Sequence, residues 1–334
     1  MRVLIVRLGS LGDVVHAIPA AAALRRAFPQ SEIDWLVDAR HRDIVDLVSV
    51  IDRVVPLDAP TANGWLQAIR ELRGRAYDIA LDFQGLMKSA VLARASGAKR
   101  VAGFSLWHLR EKSARPFYTT AEQAEGGHAI RKNLRLLRAV GIDNEDRIEF
   151  PLRRCESSAL AALRAMIGEA RFALINPGAA WPNKRWPPER FGALASFIRD
   201  ICGLAPVVLW GPGEAPLADA VVTSSQRAAV LAPPTLLHDL VALSREADLL
   251  VAGDTGPLHI ATAVGTPTVS LFGPTYPERN GPWSPDDLVV SRADRCGCHR
   301  ARRCHRTDWC LDDISVPEVC ATVQRRLAVR STRG

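Results

Sequence analysis

The chain is 334 residues long, with 48% hydrophobic and 24% charged residues, and carries a formal charge of +7 with a pI near 9.3. That composition excludes fibrous, collagen-like and intrinsically disordered classes, and the length suits two cores better than one. No run approaches the roughly 18 apolar residues of a membrane span, and the opening MRVLIVRLGSLGD lacks the order of a signal peptide, so a cytoplasmic protein is expected.

Short β-branched runs alternate with helical stretches from the first residues onward. RVLIVR reads as a strand ending at Arg7. Gly9 and Gly12 then bracket a tight turn, and a helix begins near Asp13. The glycines permit close backbone approach and the helix start offers N–H groups to an anion, although the same residues would serve equally as a plain turn and cap. The spacing matches neither the phosphate loop GxxxxGK[ST] nor the dinucleotide signature GxGxxG. EIDWLVD, DRVVPL, DIALDF and RVAGF continue as strands, with helices over PAAAALRRAF, WLQAIRELRG and LMKSAVLARAS. DFQGLMKSA ends one strand with Asp82 and Gln84 and opens a helix with Lys88 and Ser89, as a cleft-facing loop or as a cap with a surface lysine.

The periodicity weakens between about Asn144 and Leu152, which divides the chain into domains of residues 1–150 and 151–334. A second alternating series follows a helix over SALAALRAMIG. Its strands are RFALINPG, APVVLWGPG, AAVLAP, ADLLVAGD and TPTVSLFGP, with a helix over TLLHDLVALSREA. Strands that alternate with helices build parallel sheets covered on both faces, so the fold class is α/β, two Rossmann-like doubly wound domains facing across a cleft. Sites belong in the loops beyond the carboxyl ends of the strands.

Two loops in the second series are rich in polar groups. INPGAAWPNKRWPPERF supplies Gly178, Ala179, Ala180 and Lys184, small residues and a compact cation suited to a phosphate, or else an ordinary solvated loop. LWGPGE adds Glu214, which could accept hydrogen bonds from a ribose or base. GDTGPLH ends a strand and opens a helix with Asp254, Thr255, Gly256 and His259, an arrangement that can hold a diphosphate and a sugar hydroxyl together. The plain alternative is Asp254 as a helix cap with His259 facing solvent or core.

Residues 292–312 are basic and contain four of the seven cysteines, Cys296, Cys298, Cys304 and Cys310, with His299 and His305 interleaved. Such a density of thiols in a reducing compartment points to a structural zinc or iron ion, with incidental thiols or a disulfide formed on oxidation as the alternatives. A helix over VPEVCATVQRRLA follows and is expected to dock back onto the body. The net positive charge favours anionic partners, meaning nucleic acid, an anionic membrane surface or a phosphorylated substrate. Aromatic residues at 6% and the lack of a base-stacking motif argue against nucleic acid.

Taken in order, RLGSLGDVVHAIPA, LDFQGLMKSA, NPGAAWPNKRWP and GDTGPLHIA make the chain resemble glycosyltransferase family 9, the ADP-heptose:lipopolysaccharide heptosyltransferases. The first two segments look most like heptosyltransferase I. The resemblance implies a GT-B fold with the acceptor held mainly by the N-terminal domain and ADP-heptose mainly by the C-terminal one. It also implies inverting transfer to the Kdo region of the lipopolysaccharide inner core, with no cofactor required for catalysis. Asp13 then matches the general base, Lys184 the lysine on the donor phosphates and Asp254 the carboxylate near the heptose hydroxyls. Thr255, Gly256 and His259 match the diphosphate-binding turn, and Glu214 a nucleoside contact. Gly178, Ala179 and Ala180 complete the donor loop, where backbone N–H groups stand in for the hydroxyls of some relatives. Gly12, Gln84, Lys88 and Arg110 fall on the acceptor side. An anionic lipid acceptor implies peripheral work on the inner face of the inner membrane. A GT-B transferase with another nucleotide sugar or acceptor, including protein, and a non-catalytic nucleotide-sugar-binding protein are the competing readings; the presence of Asp13 speaks against the last.

Overall fold

The computed structural model describes all residues except 59–60, 125, 144–145, 299–300, 302–303, 305–308 and 332–334. The chain forms two compact units, Met1–Arg154 and Cys155–Gly334. The segment after the expected boundary belongs with the first unit, because Ser49 N–H donates to the Pro151 carbonyl and Arg153 N–H to the Leu47 carbonyl. Val48 and Leu152 form an antiparallel bridge at the same place.

In the first unit, strands β1 (Arg2–Val6), β2 (Glu32–Asp38), β3 (Arg53–Leu57), β4 (Ile79–Asp82), β5 (Arg100–Phe104) and β6 (Thr120–Glu122) form one parallel sheet in the order β3-β2-β1-β4-β5-β6. Val3, Leu4, Ile5 and Val6 of β1 are all buried, as both faces of a parallel sheet must be when helices cover them. The helices are α1 (Leu11–Val15), α2 (Ile18–Ala27), α3 (Arg42–Asp46), α4 (Ala62–Arg73), α5 (Met87–Ala95) and α6 (Ala129–Leu136). The alanine-rich run of α2 buries Pro19 through Leu24, where small side chains let helix and sheet approach closely.

The second unit holds β7 (Phe172–Asn176), β8 (Ala205–Val208), β9 (Val230–Leu231), β10 (Leu249–Gly253), β11 (Thr268–Phe272) and β12 (Leu288–Ser291) in the order β12-β11-β10-β7-β8-β9. Its helices are α7 (Ser158–Ile167), α8 (Pro188–Asp200), α9 (Ala215–Ser224), α10 (Leu237–Glu246), α11 (Gly256–Val264), α12 (Pro277–Asn280) and α13 (Val316–Ser331). Counted from its own first strand, this sheet has the same order as the first. In both, the direction of winding reverses between the first and fourth strands, the place where doubly wound sheets bind ligands.

Alternation alone locates neither β6 nor β12, which are edge strands of three and four residues. Their contribution to a two-sided core is small, so their hydrophobic signal is weak. Helix α13 packs on α8, β11 and β12, burying Val319 and Val323 against the second core. Trp186, 1% exposed, anchors this corner by donating its indole N–H to the Ile314 carbonyl at 3.0 Å and meeting the Phe191 ring edge to face.

Candidate active site

The two ladders put the flagged loops at the winding reversals. Val6 stands beside Asp82, so the loops after β1 and β4 are neighbours, and Asn176 stands beside Ala252, so those after β7 and β10 are too.

In the first unit, Ser10 caps α1 and Asp13 is its third helical residue. The Ser10 hydroxyl donates to Asp13 Oδ2 at 3.1 Å and its N–H to the same oxygen at 3.3 Å. Asp13 Oδ1 lies 2.7 Å from the guanidinium of Arg7, and the Asp13 side chain is 26% exposed. Arg7, read from sequence only as the end of a strand, is itself buried and also donates to the Phe83 carbonyl. A charge at the end of an all-apolar strand was the signal available for it. Burial by itself would raise the Asp13 pKa, but the Arg7 charge, the two Ser10 hydrogen bonds and the more distant Arg110 together outweigh it and hold the carboxyl below the usual range. A depressed pKa keeps Asp13 ionised down to lower pH than an ordinary carboxylate, and its contribution to stability is lost only as pH falls through that value. Arg7→Met removes the largest opposing charge and leaves burial dominant. The acid limb of the pH–rate profile should then move to higher pH, and an unmoved limb would show that Arg7 does not control this carboxylate.

Gln84 does not project freely: its Oε1 accepts the Leu8 N–H at 2.7 Å and its own N–H donates to Asp82 Oδ1 at 2.9 Å. Asp82 is fully buried and takes three further hydrogen bonds, from Tyr118 at 2.7 Å, Ser89 at 2.8 Å and the Gly85 N–H at 3.3 Å. Gln84 and Asp82 thus hold the loops after β1 and β4 in one register. Gly12 is buried in α1, where its carbonyl accepts from His16. Lys88 and Arg110 are exposed, and Lys88 lines an open groove of about 600 Å³ with Trp65, Leu86, Met87, Val91 and Glu111.

In the second unit, Lys184, Asp254 and His259 form one cluster. Asp254 is 8% exposed, with Oδ2 2.5 Å from the Lys184 ammonium and Oδ1 3.2 Å from His259 Nε2. Burial opposes its ionisation, yet the His259 and Lys184 contacts win and hold it well below the usual carboxylate range. The two residues that sequence assigned separately to phosphate and sugar are therefore one ion pair. Lys184 also lies 4.8 Å from the centre of the Trp181 ring. Thr255 caps α11, so Asp254 precedes the helix rather than capping it, and Asn176 ties the loops by donating to Thr255 Oγ1 at 3.2 Å and the Gly178 carbonyl at 2.9 Å. Asn176, like Arg7, is a polar residue closing a buried strand. Because Pro257 has no N–H, the first turn of α11 presents the N–H groups of Gly256 and Leu258.

Glu214 accepts the Gly211 N–H at 3.1 Å and lies across Gly178, where an added Cβ would stand 2.2 Å from its carboxylate. A side chain at position 178 would displace that carboxylate, and glycine there lets Glu214 lie against the loop after β7. Ala179 is buried, with its carbonyl accepting from Arg185 at 2.9 Å, and Ala180 is exposed. Residues 65–309 match glycosyltransferase family 9 (heptosyltransferase).

The chain belongs to that family.

It is 33% identical over 298 residues to the lipopolysaccharide heptosyltransferase 1 of Pseudomonas aeruginosa, covering 84% of this chain and 81% of that protein. The lipopolysaccharide heptosyltransferase 1 of Escherichia coli strain K12 is 29% identical over 311 residues, 88% of this chain and 94% of that one. The solved structure of the E. coli heptosyltransferase WaaC with ADP superposes with a TM-score of 0.79 at 22% identity, over 98% of this chain and 100% of that one. This family 9 glycosyltransferase accordingly has the GT-B fold. The whole Lys184–Asp254–His259 cluster lies inside the matched segment, whereas Asp13 precedes it. No described helix is long and apolar enough to cross a membrane.

Proposed function

We propose that this glycosyltransferase moves heptose from ADP-heptose to the Kdo region of the lipopolysaccharide inner core. The observation that carries the reading is the ionised carboxylate of Asp13, set at a winding reversal and held by Arg7, in a chain one third identical to a lipopolysaccharide heptosyltransferase 1. In this reading the first unit holds the acceptor through Gln84, Lys88, Arg110 and the Gly12 turn, and the second holds the donor.

Asp13 takes the proton of the acceptor hydroxyl as that oxygen attacks the anomeric carbon. The bond from that carbon to the β-phosphate oxygen breaks in the same displacement, so the configuration inverts. With a depressed pKa Asp13 is a weak base, which couples proton removal to bond formation rather than placing it before. Three contacts, two with Ser10 and one with Arg7, occupy part of the carboxylate, and its remaining lone pairs serve the hydroxyl. ADP leaves against the Lys184 charge and the N–H groups of Gly178, Ala179, Ala180 and the Thr255-Gly256 turn, which stabilise the growing negative charge. Asp254 orients Lys184 and meets the sugar hydroxyls, His259 belongs with the diphosphate-binding turn, and Glu214 meets the nucleoside.

Work at the inner face of the inner membrane belongs to the same proposal. Trp107 is 82% exposed with Lys112 over its ring at 5.6 Å, and Leu106 beside it is exposed too, the pairing of an aromatic with cations that suits an anionic headgroup layer. The test of function is a panel of nucleotide sugars offered with deacylated inner-core acceptors. Transfer from ADP-heptose alone is expected; equal transfer from a UDP- or GDP-sugar would overturn the donor assignment.

A further inference from the structure

The thiols of the basic segment form a cluster of their own. Cys296, Cys298 and Cys310 are buried together, with Cys304 and Ala301 packed against them. The Cys298 sulfur lies 3.3 Å from that of Cys296 and 3.3 Å from that of Cys304. None of the seven cysteines forms a disulfide. Cys296 follows the short turn Ala293–Arg295 and Cys310 opens the turn Cys310–Asp313, so separate stretches of chain deliver the four sulfurs to one place.

This cluster contains no large apolar side chain among the described residues, so burial alone gives the segment little reason to order. Four sulfurs bound at about 2.3 Å to one ion would stand about 3.8 Å apart, and the two separations from Cys298, each 3.3 Å, are within about half an ångström of that edge. Among the described residues no group of three or more side chains is already placed to hold a metal ion, so ligation asks the sulfurs to move apart. His299 and His305, interleaved in the sequence, lie outside the described residues.

We propose that Cys296, Cys298, Cys304 and Cys310 bind a single zinc or iron ion as four thiolates, a structural centre that staples the basic segment to the second unit. A soft, all-sulfur donor set selects these ions over magnesium, calcium or manganese. Each thiol gives its proton to solvent as a metal–sulfur bond forms, and no electron moves. Four protein ligands leave no open position, so the ion takes no part in sugar transfer.

What the staple holds is specific. Cys310 is seated against Gly273, just past β11, where an added Cβ would stand 2.8 Å from its sulfur. Asn183 donates to the Ala301 carbonyl at 3.0 Å, and Arg190 to the carbonyls of Asp312 at 2.6 Å and Ile314 at 2.7 Å. The cluster therefore braces the turn Pro182–Lys184, which carries the lysine of the ion pair.

The test uses the full chain purified without added metal or chelator. Elemental analysis should find about one zinc or iron per chain, and the identity of the metal distinguishes the two. Exchange with cobalt(II) should produce the visible absorption of a tetrahedral cobalt thiolate. Chelation should lower the melting temperature by at least about 3 °C. Cys304→Ser, at the least buried of the four positions, should lose the metal, and a variant with all four changed to serine should melt as the chelated protein does. The chelation and cobalt measurements stand even where the serine variants fail to fold. Metal far below stoichiometry together with melting indifferent to chelator would overturn the proposal. So would metal retained in full by the serine variants, or a disulfide among the four in protein whose thiols were blocked at lysis. None of these readouts depends on the donor, the acceptor or activity.

Discussion

Replacing Asp13 with alanine is expected to lower kcat by at least about two orders of magnitude while ADP affinity stays within about twofold, because general bases contribute roughly 10² to 10⁴ in rate. Asp13 lies in the first unit, and the residues proposed to hold the donor lie in the second. Its partners are Arg7 and Ser10, so removing it leaves a buried guanidinium with the Phe83 carbonyl but without its counter-charge. Some loss of stability should accompany the alanine variant for that reason. Asp13→Asn separates the two effects, since the amide keeps the shape and a hydrogen-bond acceptor but cannot take a proton. Both variants should lose turnover, with the asparagine variant melting closer to wild type. Near-normal turnover in Asp13→Asn would end the assignment of this residue as the base.

Lys184→Ala should cost both donor affinity and stability. The affinity loss, about 10- to 100-fold for ADP by calorimetry, follows from removing a charge-assisted contact to phosphate. The stability loss follows from the ion pair: Asp254 is 8% exposed, and removing the ammonium takes away its lysine counter-charge while the His259 contact stays. Breaking a buried pair from one side costs about 3 to 5 kcal/mol. Asp254 has a depressed pKa in the folded chain, so the pair stabilises above the ordinary carboxylate range and that stability is lost as pH falls through the depressed value. In Lys184→Ala the loss should set in at higher pH. Adding Asp254→Asn should recover melting temperature without recovering ADP affinity, because the uncompensated charge is gone while the phosphate partner is still missing. Unaltered ADP affinity in the single variant would remove Lys184 from the donor site, and an unaltered melting temperature would show that the pair does not hold the loops.

By itself the sequence determined the architecture and the neighbourhood of the site. Apolar runs such as VLIV, bounded by arginines, and LLVA, bounded by aspartate and glycine, read as strands buried on both faces, and their alternation with helices leaves a parallel sheet as the solution. The same punctuation placed Asp13, Gln84, Lys184 and Asp254 at carboxyl ends of strands. The short edge strands β6 and β12 escaped it, since few residues bury little surface and leave little pattern. Partnership was decided only by tertiary structure. Arg7 and Asp13 are close in sequence, but the carbonyl of Phe83 that fixes Arg7 arrives through the pairing of β1 with β4. Lys184 and Asp254 are 70 positions apart and meet because β7 and β10 lie side by side. Glu214 reaches Gly178 only across the carboxyl edge shared by β7 and β8. Hydrophobic periodicity reports which face of an element is buried; it carries no information on which charge will face which. That depends on strand order and register, which fix the positions of side chains far apart in the chain to within a hydrogen bond's length.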